Sequence, residues 1–169
     1  GRVTEVNRWT PPPMDPNWET EPSAAAVEQL RHLVIEATRE RLAAEGTTTV
    51  WMSGGWDSTS VFASACARMD ARTRSSRPVL PVSMTFPADD IGNEDHHIRA
   101  LAERWEVPVR WVDTDQIPLL VDADRRALVR DDPLSQPFES QMRTLSQASR
   151  ELRSRVVLDG VGGDQLFFT

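Results

Sequence analysis

A chain of 169 residues with a formal net charge of −7 is the size of one domain with its own core. That acidic balance excludes a general binder of nucleic-acid backbones or anionic membranes, which needs clustered cations. One cysteine, Cys66, excludes an internal disulfide or a cysteine zinc site, and no apolar run is long enough to span a bilayer, so the expected setting is cytoplasmic.

Residues 1–22 carry Pro11, Pro12, Pro13, Pro16 and Pro22 between and around Trp9 and Trp18, a composition that stiffens the backbone and removes donors. They read as a proline-rich linker or arm, and the opening at Gly1 leaves room for an upstream segment. Ser23 then predicts an N-cap, and Val27, Leu30, Val34 and Leu42 recur at helical spacing up to Gly46, so a helix is expected from Ser23 to Glu45. The β-branched run from Thr47 to Met52 predicts a strand that feeds Ser53-Gly54-Gly55, and the alanine-rich stretch from Ser58 to Met69 predicts a helix.

Arg72 to Pro78 reads as a polar loop. Val79 to Phe86 is a second strand with Pro81 as its weak point. A helix over Glu94–Trp105 and a third strand over Val107–Val112 follow. The stretch from Asp113 to Pro137 is irregular, with a short helix expected near Asp122 to Arg130. Phe138–Arg153 is again helical, and Arg155–Asp159 is a fourth strand ending on Gly160. Strands alternating with helices predict an α/β doubly wound fold, a mostly parallel sheet with helices on both faces and ligands at the strands' carboxyl ends.

Two glycine loops carry the chemistry. Gly54 and Gly55, placed between a strand and a helix N-terminus, let the backbone turn and aim N–H groups at an anion, while Ser53, Ser58 and Thr59 add hydroxyls. The chain contains no lysine, all 19 basic residues being arginine, so the Walker-type phosphate loop is excluded. Asp57 would repel a polyphosphate unless a cation stood between them, which predicts Mg²⁺ and a second carboxylate from another strand end. Asp164, on Gly160-Val161-Gly162-Gly163-Asp164 after the fourth strand, is the candidate.

The run Ser53-Gly54-Gly55-Trp56-Asp57-Ser58 resembles the signature of the N-type ATP pyrophosphatases. Leu158 to Phe167 resembles the second signature of the asparagine synthetase family, and the order and separation of the two match that family's synthase domain. The resemblance implies an adenine nucleotide alpha hydrolase-like fold and a two-step reaction, in which ATP adenylates a carboxylate with release of pyrophosphate and an amine then displaces AMP.

It also places Asp57 and Asp164 as Mg²⁺ ligands and catalytic residues, Ser53 to Ser58 on the pyrophosphate, and Trp51, Met84 and Gly160 around the adenosine. The implied cofactors are ATP and Mg²⁺. The implied partners are a small-molecule or peptide carboxylate and, upstream, a glutaminase domain. Val161 and Gln165 stand where the family usually has acidic residues, which moves the resemblance away from asparagine as product and toward divergent amide-forming or peptide-cyclising members. The chain stops before the family's catalytic lysine, so the domain over 23–169 is expected to be truncated and inactive alone. The rival reading is a degenerate nucleotide-binding scaffold without turnover.

Elsewhere the ordinary readings prevail. His96 and His97 belong to a helix surface, since adjacent helical positions diverge by about 100°. Glu94 favours its helix dipole, with reach to the substrate side as the lesser alternative; Cys66 is buried, and Trp105 and Trp111 fill the core, while Trp56 shields the phosphate site.

Overall fold

In the computed structural model, which describes residues 23–67, 69, 71–129 and 138–163, four parallel strands form one sheet in the order β3-β2-β1-β4. The strands are β1 (Thr47–Met52), β2 (Val79–Thr85), β3 (Arg110–Asp113) and β4 (Ser154–Leu158), and the helices are α1 (Ala24–Glu40), α2 (Trp56–Cys66), α3 (Ala71–Ser76), α4 (Asp95–Arg104), α5 (Ala123–Ala127) and α6 (Glu139–Glu151). The α/β architecture read from the sequence is the one observed. The proline-rich arm, Asp164 and Gln165 lie outside the described residues.

From β1 the chain steps outward through β2 to β3 and then returns to place β4 on the other side of β1. That reversal makes a crevice at the carboxyl ends of β1 and β4, where open α/β sheets bind ligands.

Both faces of the sheet are covered, because alternate strand residues point to opposite sides. On one face Val50, Met52 and Val79 pack with Phe62, Ala65 and Cys66 of α2 and Ile98 of α4. On the other, Val82 and Val112 pack with Leu145 and Ala148 of α6. Thr49 is fully buried on that second face, where its Oγ1 donates to Ser149 Oγ at 3.1 Å. Phe62 is also fully buried. Phe62→Ala should therefore cost about 3–5 kcal/mol, the usual range for emptying a core aromatic site; urea denaturation of the complete protein measures it.

Several boundaries differ from the sequence reading for identifiable reasons. The first helix ends at Glu40 rather than Glu45, since the Ala43 N–H turns away to Thr48 Oγ1 at 2.9 Å and Gly46 adopts φ +76° to enter β1. The expected polar loop at Arg72–Pro78 contains α3. Strand β3 starts at Arg110, not Val107, because the Val107 N–H closes the end of α4 on Ala102 O and Pro108 has no N–H to donate. Pro81 is tolerated within β2 because pairing with β3 begins only at the next residue, Val82 opposite Arg110.

Candidate functional site

The first loop leaves β1 at Met52 and enters α2 at Trp56. Gly54 sits at φ +84°, a left-handed conformation that costs a side-chain-bearing residue but not glycine. Gly55 is the N-cap of α2, and no side chain caps the first turn. The N-terminal N–H groups of α2 therefore stay available to an anion.

Ser58 is buried and holds the loop from inside. Its Oγ accepts from Ser53 N at 3.1 Å and lies 3.1 Å from Ser53 Oγ. Ser53 Oγ in turn accepts a long bond of 3.4 Å from Gly55 N. The serines thus shape the loop as well as offering hydroxyls.

The second loop follows β4. Asp159 Oδ1 accepts from Val161 N at 3.1 Å, and Gly163 N donates to Gly160 O at 3.3 Å, which folds the segment over the first loop. A Cβ on Gly160 would lie 2.5 Å from Ser58 N and 2.9 Å from Asp57 C. One on Gly163 would overlap the Asp57 carboxylate itself. The resemblance placed Gly160 around the adenosine; in the fold Gly160 and Gly163 first permit close approach of the two loops to one another.

Asp57 is half-buried in the first turn of α2, and among the described residues no hydrogen bond or salt bridge occupies its carboxylate. An unpaired carboxylate at the edge of an uncapped helix turn suits Mg²⁺, which takes one or two carboxylates together with phosphate oxygens. Among the described residues no group of three acidic, histidine or cysteine side chains converges on one point; the acidic side chains that line the cavity between the loops are Asp57 and Asp159.

A cavity of about 570 Å³ opens between the two loops and α6. Trp51, Ser53, Gly55, Asp57, Ser58, Met84 and Gly160, all named from sequence, line it, whereas Gly54 and Thr59 do not. The Trp51 indole is fixed by its Nε1 donating to Ser149 Oγ at 3.0 Å, and Trp51 and Met84 share the wall of the cavity. Met142 and Leu145 of α6 complete the wall and were missed, although their three-residue spacing on a helical face was visible in the sequence. Another cavity, of about 600 Å³, includes Thr48 and Val79 near the amino ends of β1 and β2 and so lies away from the glycine loops.

Glu94 was also underestimated. It precedes α4 without making a side-chain cap, and its side chain lies over Gly54, where a Cβ would stand 2.6 Å from Glu94 Cβ and 2.7 Å from Oε2. The connection is braced by Thr85 Oγ1 donating to Asp95 Oδ2 at 2.7 Å and Asn93 Nδ2 donating to Phe86 O at 2.7 Å. His96 and His97 are exposed on α4, as expected, and Cys66 is buried.

Comparison with known proteins adds three findings. The family model for asparagine synthase matches residues 29–169. No curated protein matches in sequence. Among solved structures, the U34-tRNA thiolase NcsA from Methanococcus maripaludis, determined with its 4Fe–4S cluster, is similar in fold at a TM-score of 0.54 and 13% identity, over 79% of this chain and 46% of that one. The chain thus spans less than half the length of that structural neighbour.

Proposed function

We propose, from the premise that the chain belongs to the asparagine synthase family of ATP-using enzymes, that it is the ATP-pyrophosphatase domain of an AMP-forming carbon–nitrogen ligase. In the first step a carboxylate oxygen attacks the α-phosphorus of ATP, the α–β anhydride bond breaks and pyrophosphate leaves. In the second an amine attacks the acyl carbonyl, AMP leaves with the acyl–oxygen bonding pair, and the amine gives up a proton. The product is an amide.

The observation that carries this reading is the interlocking of the two glycine loops at the sheet's reversal, with the Asp57 carboxylate against Gly163. The uncapped turn of α2 would receive the pyrophosphate oxygens, with the loop shape held by Ser53 and Ser58. Trp51 and Met84 would wall the adenine, and Gly160 lets the second loop lie against the first. Asp57 would hold Mg²⁺ with Asp164 as its proposed partner; when bound, the ion neutralises charge that builds on the leaving pyrophosphate.

A cytoplasmic setting belongs to the proposal, and no described helix is long and apolar enough to cross a membrane. An upstream glutaminase domain is its proposed nitrogen source, and an amine on the substrate itself is the alternative. The test is carboxylate-dependent exchange of labelled pyrophosphate into ATP by the complete protein. Exchange that requires both a carboxylate and Mg²⁺ is the expected result; its failure across a broad set of carboxylates would overturn the assignment.

One observation favours a second reading. Val161, placed where the family usually has an acidic residue, is 86% exposed at the cavity mouth. A scaffold that had lost turnover would bind AMP with Mg²⁺ in a calorimeter and make no amide. The ligase would bind AMP with Mg²⁺ and also make the amide.

A further inference from the structure

Resting on the reading of the cavity between the glycine loops as an adenine-nucleotide site, we infer that Ser149 is a positioning residue for that nucleotide. It stands outside the cavity lining and acts by fixing the plane of the Trp51 indole, the wall against which the base lies.

The plane of an indole is poorly set by its own rotamers, because the torsion next to a planar ring is broad. A hydrogen bond sets it here. Trp51 is half-buried on the face of the sheet covered by α6, and its Nε1 donates to Ser149 Oγ at 3.0 Å. The same oxygen accepts from Thr49 Oγ1 at 3.1 Å, so both of its lone pairs are in use. Thr49 is fully buried and Ser149 is 2% exposed, out of reach of bulk water that could replace either bond.

A tight return of the chain assembles these groups. After α6, Leu152 N donates to Ala148 O at 3.2 Å and Arg153 N to Arg150 O at 2.8 Å. Arg153 takes φ +54°, a conformation that a residue with a side chain keeps only where its surroundings hold it. Ser154 then opens β4, its Oγ lying 3.0 Å from Thr49 Oγ1 and accepting from Thr49 N at 3.2 Å. Ser149, Thr49 and Ser154 thus join α6, β1 and β4 behind the indole. Apolar side chains would fill the same space without needing partners; a satisfied polar network instead specifies one arrangement.

A tethered indole meets the base without first losing freedom of its own, which is the gain that preorganisation brings to binding. Without the Ser149 hydroxyl, Nε1 would be left in the core with no acceptor, and the ring would turn away to find one.

A double-mutant cycle on the complete protein tests this, read as the dissociation constant for ATP with Mg²⁺ in a calorimeter. Ser149→Ala and Trp51→Phe should each weaken ATP about tenfold, within the range usual for coupled neighbours, and Ser149→Ala should cost nothing further in the Trp51→Phe background. A merely structural serine would weaken ATP by the same factor in both backgrounds, and that result overturns the inference. The share of tryptophan fluorescence that Trp51→Phe removes should also become more open to acrylamide in Ser149→Ala. Trp51→Phe leaves the Thr49–Ser149 pair in place and serves alone should Ser149→Ala fail to fold: undiminished ATP affinity in it overturns the inference. A parent protein that binds no ATP overturns the nucleotide reading and the inference with it. Binding with the expected coupling, but no exchange with any carboxylate, upholds the role of Ser149 while the ligase reading falls.

Discussion

Asp57→Asn is expected to lower carboxylate-dependent ATP–pyrophosphate exchange by at least about a hundredfold, since even residues that only support a metal ligand change affinity or activity 10–100-fold. Asparagine matches aspartate in size, so the close fit against Gly163 and the entry into α2 are retained. What disappears is the negative charge, and with it the reason for a cation to sit between the loop and a polyphosphate. The structural cost is small, about 0.3–1 kcal/mol for losing an acidic group in a helix's first turn.

Thermal unfolding of the variant should therefore stay close to that of the parent while exchange collapses. Raising the Mg²⁺ concentration should recover part of the activity if weaker metal affinity is the defect. Full exchange in the variant at ordinary Mg²⁺ would remove Asp57 from the metal site.

The place of Asp57 at the cavity was legible from sequence because the signal is local: glycines, a carboxylate and a helix start stand within six residues, and each has a physical meaning by itself. The strand–helix alternation was equally legible, since Thr47–Met52 and Ser154–Leu158 are short β-branched runs bounded by glycine or polar turns. Boundaries failed where a tertiary contact decided them. Nothing in the local sequence says that the Ala43 N–H will leave the helix for the Thr48 hydroxyl, or that α4 will recapture Val107.

Glu94 illustrates the same limit at the site. Its position before a helix suggested a role in the helix dipole, yet the side chain crosses to Gly54, forty residues earlier, because β2 and β1 are neighbours and both end at the crevice. Met142 and Leu145 reach the cavity through the packing of α6 on the opposite face of β2 from α2. Helical spacing alone could not say what they would pack against.

The interlocking of the loops was the least legible feature and gives the second large effect. Gly160→Ala should reduce exchange about a hundredfold, the penalty that a misplacement of roughly 1 Å brings to a reacting geometry. The added methyl would stand 2.5 Å from Ser58 N and 2.9 Å from both Asp57 C and Ser58 Cα. These are backbone atoms in the first turn of α2, and no flexible side chain is available to yield. One loop must move away from the other, taking Asp57 off its place against Gly163 and loosening the turn that Ser58 braces.

The stability cost should be about 1–3 kcal/mol, typical of overpacking a well-filled site, measured as a shift in the urea midpoint of the complete protein. Gly162→Ala provides the contrast. Its φ is +103°, so alanine there is strained, yet a Cβ would meet nothing within 4 Å. That change carries a backbone penalty of about 1–3 kcal/mol with no push on the first loop. The two alanines should therefore cost similar stability, while only Gly160→Ala loses most of the exchange. Equal activities in the two variants would mean that contact between the loops does not set the geometry of the site.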